Sequence, residues 1–186
     1  MSIRPLTTFA DFDDCQRVQR QVWSFDESEV VPTHLFAALV GPHGHGGLLF
    51  GRRLLLAAAE QASAAGHTTL EWTYDPLESV NAYLYLHKLG AVATAYFDGY
   101  YPIKTAGLRA NLPQDRLKVV SECHATVSRE RAPSTSVVPT RTITIPGDVQ
   151  SLKQSDSALA LQLRLTTRAQ FHHHLTRDGC RAADYT

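Results

Sequence analysis

Side chains able to bind a polar ligand or move a proton gather within residues 68–90, T-T-L-E-W-T-Y-D-P-L-E-S-V-N-A-Y-L-Y-L-H-K-L-G. Glu71, Thr73, Asp75, Glu78 and Asn81 flank one short turn, and Tyr83 and Tyr85 follow it. Carboxylates in such a place can bind or deprotonate an amine, and a phenol can act as an acid. Two other groups invite a metal reading, His43-x-His45 and His172-His173-His174. Three consecutive histidines on a helix project about 100° apart and cannot all face one ion. Neither group has a cysteine or carboxylate at ligand spacing, so no metal is expected. Cys15 falls on the apolar face of its helix and reads as core.

The elements that would position the turn are legible around it. Thr69, Glu71 and Thr73 alternate with Leu70, Trp72 and Tyr74, which predicts a strand over residues 69–74. A helix is predicted over residues 77–89, with Asp75 as N-cap, Pro76 in the first turn, Glu78 completing a capping box and Gly90 ending it. Its apolar positions, including Val80, Tyr83, Leu84 and Leu86, cover most of the circumference and predict a packed helix. A strand feeding a helix through a polar turn is a common ligand site in α/β proteins.

Further signals place the rest. Residues 3–7 read as a first strand. Thr8 with Asp11 forms a capping box before Phe12, Cys15, Val18 and Val22, and Pro32 opens a second helical run. Residues 47–50 read as a strand, and the run from Arg52 as a strong helix ending at Ala65-Gly66. Strands are predicted at 91–96, 117–123 and 137–145, with 97–102 an aromatic-rich loop and 129–135 a connection. A final helix capped by Ser155 or Ser157 carries Leu159, Leu163 and Phe171 as its apolar stripe.

The 186 residues suit one domain with a full core and a small extension, expected to divide at 1–128 and 129–186. Lys plus Arg and Asp plus Glu number 18 each, so no net field recruits nucleic acid or an anionic membrane. The longest apolar run is broken by Arg52 and Arg53, and acidic residues stand where a secretory signal would be apolar. The three cysteines are odd in number and far apart, which argues against a disulfide framework. A cytoplasmic location is expected.

The run W-T-Y-D-P-L-E-x-x-N-A-Y followed by L-x-K-L-G-A resembles the strand and helix after the central strand of a GNAT-type acyl-CoA N-acyltransferase, in a little-characterised bacterial branch. S-I-R-P-L-T-T, E-V-V-P, L-P-Q-D-R-L and I-P-G-D-V-Q-S-L-K, spread over nearly the whole chain, agree with that branch. The resemblance implies an α/β (mixed α+β) fold with a central mixed sheet flanked by helices and a C-terminal strand-helix extension. It implies acyl transfer, most simply acetyl, from acetyl-CoA or another acyl-CoA to a small-molecule amine by direct attack in a ternary complex. It places the cofactor at the helix start through Gly51, Arg52 and Arg53, with Asn81 near the pantetheine arm. Glu71 would act on the amine, and Tyr83 or Tyr85 would protonate the departing thiolate, although the position four before the terminal glycine is Leu86. A homodimer is open.

One departure from the family pattern is large. Two middle strands and the glycine-rich pyrophosphate turn are missing between Gly51 and Arg52, a deficit of roughly 30–50 residues by ordinary strand and loop lengths. The expectation is a break in the backbone at that junction. The rival reading is a non-catalytic binding or assembly module derived from the same fold.

Overall fold

The computed structural model spans the chain and describes residues 4, 6–27, 29–40, 51–103, 112–124 and 141–177. Among the described residues, six helices and a three-stranded antiparallel sheet make a mixed α+β fold. The mixed sheet expected from sequence is thus corrected to an antiparallel one among the described residues. Its order is β1-β3-β2, with β1 Thr69–Tyr74, β2 Val92–Tyr101 and β3 Gln114–Glu122.

The first helix, α1 (Phe9–Trp23), starts at the capping box: Asp11 N–H donates to Thr8 Oγ1, and the Asp11 carboxylate accepts from Thr8 N–H. Arg4 adds an ion pair to the same carboxylate. After it, α2 (Thr33–Val40) packs back, with Phe12 and Phe36 stacked at 6.2 Å. Gln19 is buried between them, donating to Cys15 O and accepting from Val31 N–H. Cys15 is half-buried rather than core.

Gly51 and Arg52 are successive residues of α3 (Gly51–Ala64). The strand expected at 47–50 lies outside the described residues, as do Ile3 and Pro5 of the first. Arg4, Leu6 and Thr7 are not in a strand. Gly66 ends α3 at φ 86°, a left-handed conformation that glycine adopts freely.

The helix after β1 begins later than its sequence signals suggest. Glu78 N–H donates to Asp75 O, closing a turn with Pro76 at its second position, where a fixed φ is equally favourable. The turn sends Leu77 into a cluster with Leu112, Val149 and Ala160. Regular helix, α4, runs only over Ser79–Ala82 and continues as a π-wound segment, Tyr83–Lys88, closed by Leu89 N–H to Leu84 O. Gly90 at φ 67° ends it, and Ala91 N–H reaches back to Tyr85 O. The helix is not surrounded by core. Ala82, Leu86 and Leu89 are buried, but Val80 is 74 % exposed.

Residues 97–101, expected as loop, belong to β2. The expectation captured a real irregularity, because Phe97 pairs with Arg116 and Tyr101 with Gln114, leaving a bulge around Gly99. Residues 141–145 are not a strand, and 137–140 lie outside the described residues. Ile143 and Ile145 nevertheless pack on the main core.

Two helices complete the fold: α5 (Val149–Ser155), capped by Asp148 and unforeseen, and α6 (Ser157–His172), which a π turn extends over His173–Arg177. The cap of α6 is Asp156, not either serine. The main core joins Tyr74, Leu86, Ala93, Tyr96, Leu117, Val119 and Phe171, so α4 and α6 share one face of the sheet.

Leu117→Ala empties a site with no exposure and is expected to cost about 2–5 kcal/mol. Val80→Ala, which the helical pattern alone would rank as a core change, is expected to stay within about 0.5 kcal/mol. Urea unfolding of both variants checks the pair.

Candidate functional site

The strand β1 delivers its side chains to two faces, and this decides which candidate residues meet. Trp72 and Tyr74 face the core, and Tyr85 packs edge-on against both rings, at 5.4 and 5.2 Å. Glu71 alternates to the opposite face, where Lys118 Nζ pairs with it at 2.6 Å. Burial pushes the Tyr85 phenol above its ordinary pKa, which makes it a poorer acid at neutral pH. Tyr83 points away from both, its ring stacked on His87 at 5.0 Å with Lys88 Nζ 5.0 Å from the ring centre. Glu71, Tyr83 and Tyr85 therefore do not converge on one point.

The cofactor candidates are arranged differently. Gly51, Arg52 and Arg53 form the first turn of α3, with Arg52 half-buried and Arg53 exposed. That helix packs against β1 and the π-wound segment. Asn81 is half-buried in α4.

The turn between β1 and α4 is occupied by the protein's own C-terminal segment. Arg164 Nη2 donates to both oxygens of Asp75, at 2.7 and 2.6 Å. Asp75 Oδ1 also accepts from Leu77 N–H, so the carboxylate holds the turn and not the helix start. Gln150 Nε2 donates to Glu78, and Ser79 Oγ donates to Gly147 O. Burial raises the Glu78 carboxyl pKa, with the Gln150 hydrogen bond opposing that shift. Nearby Lys153 is pushed down by its own burial, with the Glu78 charge acting against that.

A second buried pair lies one helical turn along α6. Arg168 clamps Asp115 through Nε and Nη2, at 2.9 and 2.7 Å. Asp115 has no exposed side-chain surface, and it also accepts from Tyr96 Oη at 2.7 Å and from Gly99 N–H at 2.9 Å. The bulge in β2 thus presents Gly99 N–H to this carboxylate. Burial alone would raise the Asp115 pKa, but Arg168, Gly99 and Tyr96 outweigh it and hold the group below the usual carboxylate range. Burial and the hydrogen bond to Asp115 push the Tyr96 phenol strongly up. At the rim, His172 contacts Asp98, whose other oxygen lies 3.8 Å from Arg168.

Arg164 is wholly buried, and among the described residues its Nε and Nη1 atoms meet no partner within ordinary hydrogen-bond geometry. Arg116, also buried, lies 3.8 Å from Asp75 and packs over the Tyr101 ring at 5.0 Å. The sequence reading singled out none of Arg164, Arg168 or Asp115. A signal existed: Arg164, Arg168 and His172 recur every four residues and form one helical stripe. Among the described residues no group of three His, Cys, Asp or Glu is placed to hold a metal.

Removing one partner of the buried pair, as in Asp75→Ala or Arg164→Met, is expected to cost about 3–5 kcal/mol. The double variant should cost less than the sum of the two, a coupling read by urea unfolding. Asp115 has a folded pKa below its unfolded value, near 3.9, so its contribution is complete above that value and disappears as pH falls through the folded pKa. The urea midpoint should therefore drop below about pH 4, and Asp115→Asn should weaken that dependence. Asp11, paired with Arg4, and Asp148, bonded to Ser151, are depressed in the same sense and leave a residual slope. Compared with known proteins, the chain matches no family model, no curated protein and no solved structure.

Proposed function

We propose that this chain is a non-catalytic binding or assembly module built on an acyltransferase-like plan. The observation that carries this reading is the occupation of the turn after β1. Asp75 is held by Arg164, Glu78 by Gln150, and Ser79 bonds to Gly147 O. Polar groups that would greet a substrate there are engaged by the protein itself. The dispersal of Glu71, Tyr83 and Tyr85 supports the same conclusion, because general acid–base catalysis needs its groups within hydrogen-bond reach of one substrate.

A second reading, acyl-CoA-dependent N-acyl transfer, is favoured by one arrangement. The α3 helix brings Arg52 and Arg53 in its first turn, and β1 feeds α4, which bears Asn81, through a polar turn. Free amides at a helix start attract a pyrophosphate, and arginines add charge. Under this reading the co-substrate is acetyl-CoA or a related thioester and the acceptor a small amine.

One experiment separates them. The protein is heated with and without about 1 mM CoA, and thiol release is followed with acetyl-CoA and a panel of amines. Binding at a dissociation constant of about 10 μM would add about 2.7 kcal/mol, a shift of several degrees. The module reading expects no shift and no thiol release above the blank. Release that falls in Tyr83→Phe or Glu71→Gln would overturn it in favour of the enzyme.

A further inference from the structure

The chain carries its positive charge mostly on arginine: fourteen arginines stand against four lysines, Lys88, Lys104, Lys118 and Lys153. A guanidinium keeps its proton, whereas a lysine that sheds its proton becomes a nucleophile. The three lysines among the described residues sit differently. Lys118 Nζ lies 2.6 Å from the Glu71 carboxylate, and Lys88 Nζ stands over the Tyr83 ring. Both settings favour the ammonium form. Lys153 on α5 is packed half-buried beside the turn after β1, where its Nζ donates to Gln150 Oε1 at 2.9 Å. The same amide donates through Nε2 to Glu78, so one side chain tethers both the amine and a carboxylate. Asp75 is shared by Arg164 at 2.6 Å and Arg116 at 3.8 Å, and two guanidiniums leave little of its charge to hold a proton on Lys153. Burial and the Arg164 charge favour the neutral amine and outweigh the pull of Glu78 and Asp75. Burial also raises the Glu78 carboxyl, which makes its anion the better proton acceptor.

We propose that Lys153 is a modification site, at which the chain takes an activated acyl group from a thioester or an acyl phosphate and keeps it as an amide. The Nζ lone pair attacks the carbonyl carbon. The bond from that carbon to sulfur or to phosphate oxygen then breaks, and its electron pair leaves with the thiolate or phosphate. The proton lost by Nζ passes to Glu78 through water. Local charge selects this class of electrophile. An acyl amide is neutral, whereas a carbamate formed from carbon dioxide would set a third negative charge beside Glu78 and Asp75. The modification is stoichiometric and needs no turnover, so it goes beyond the module reading and does not rest on it.

The test uses the whole protein. It is incubated with about 1 mM acetyl phosphate in one arm and about 1 mM acetyl-CoA in the other, from about pH 6 to about pH 10, and acetylation of each lysine is followed by peptide mass spectrometry. Near pH 8 Lys153 is expected to react at least about fivefold faster than Lys88 and Lys118, with its rate levelling off at a lower pH than theirs. In unfolding urea the three rates should converge, because the preference belongs to the fold. Preference for Lys153 in both arms assigns the site to the amine itself, and preference with acetyl-CoA alone assigns it to recognition of the carrier. Lys153 reacting no faster than Lys88 and Lys118 in either arm overturns the proposal, as does a preference that survives in urea. Glu78→Gln should slow Lys153 at least about threefold and leave Lys88 and Lys118 unchanged. A parental rate in that variant removes Glu78 as the proton acceptor. Thiol release without added amine should follow the Lys153 label and then stop. Release that continues when an amine is supplied overturns the non-catalytic reading, and the peptide map decides the Lys153 assignment separately.

Discussion

The bond between Asp75 and Arg164 sets the terms for the rest of the molecule. It joins groups 89 positions apart, at a site where the guanidinium is fully withdrawn from water. Desolvating such a cation costs several kcal/mol, and a carboxylate in good geometry offsets part of it. Its value lies in registry more than in net energy. Rotating α6 about its axis would bury Leu161 and Leu165 and release the arginines to water, a packing that hydrophobicity alone would favour. With Arg164 on Asp75 and Arg168 on Asp115, the helix has one rotation that leaves neither carboxylate stranded. A buried charge used this way selects one arrangement among several with comparable apolar burial.

Where a signal in the sequence had a single physical reading, the element matched it. The Thr8 and Asp11 box starts α1, the alternation over residues 69–74 gives β1, and Gly66 and Gly90 end their helices at positive φ. Where one residue type serves two structures, the boundary moved. Asp75 and Pro76 are as good in a tight turn as at a helix start, and the turn prevails because it buries Leu77 against Ala160 and Val149. The Leu159, Leu163 and Phe171 stripe misidentified the inner face of α6 because hydrophobic counting gives arginine no credit for burial. Only Phe171 of the three is fully inside.

The candidate site was legible as a location and not as an arrangement. Polar residues do crowd the turn after β1, but their partners lie far away in sequence, on Gly147, Gln150 and Arg164. No local spacing encodes such a contact. Glu71 and Tyr85 also looked close on the chain, yet the alternation of β1 and the packing of Tyr85 on Trp72 put them on opposite faces of the sheet. The i, i+4 recurrence of Arg164, Arg168 and His172 was the one accessible clue, and it gains meaning only once a sheet bearing Asp75, Asp98 and Asp115 faces it.

The distance in sequence between these partners has a consequence for the newborn chain. Synthesis runs from the N-terminus, so β1, β2 and β3 leave the ribosome before Arg164 and Arg168 exist. Until then Asp75 and Asp115 are anions on what will become an interior surface, and they keep that surface wet. A nascent sheet with two charges on its apolar side resists premature collapse and sticks poorly to its neighbours in a polysome. The arginines of α6 arrive as a later step that neutralises both charges together with the docking of Phe171. Translation order and electrostatics thereby give this protein a built-in delay, in which this part of its core becomes dry only after α6 has been made.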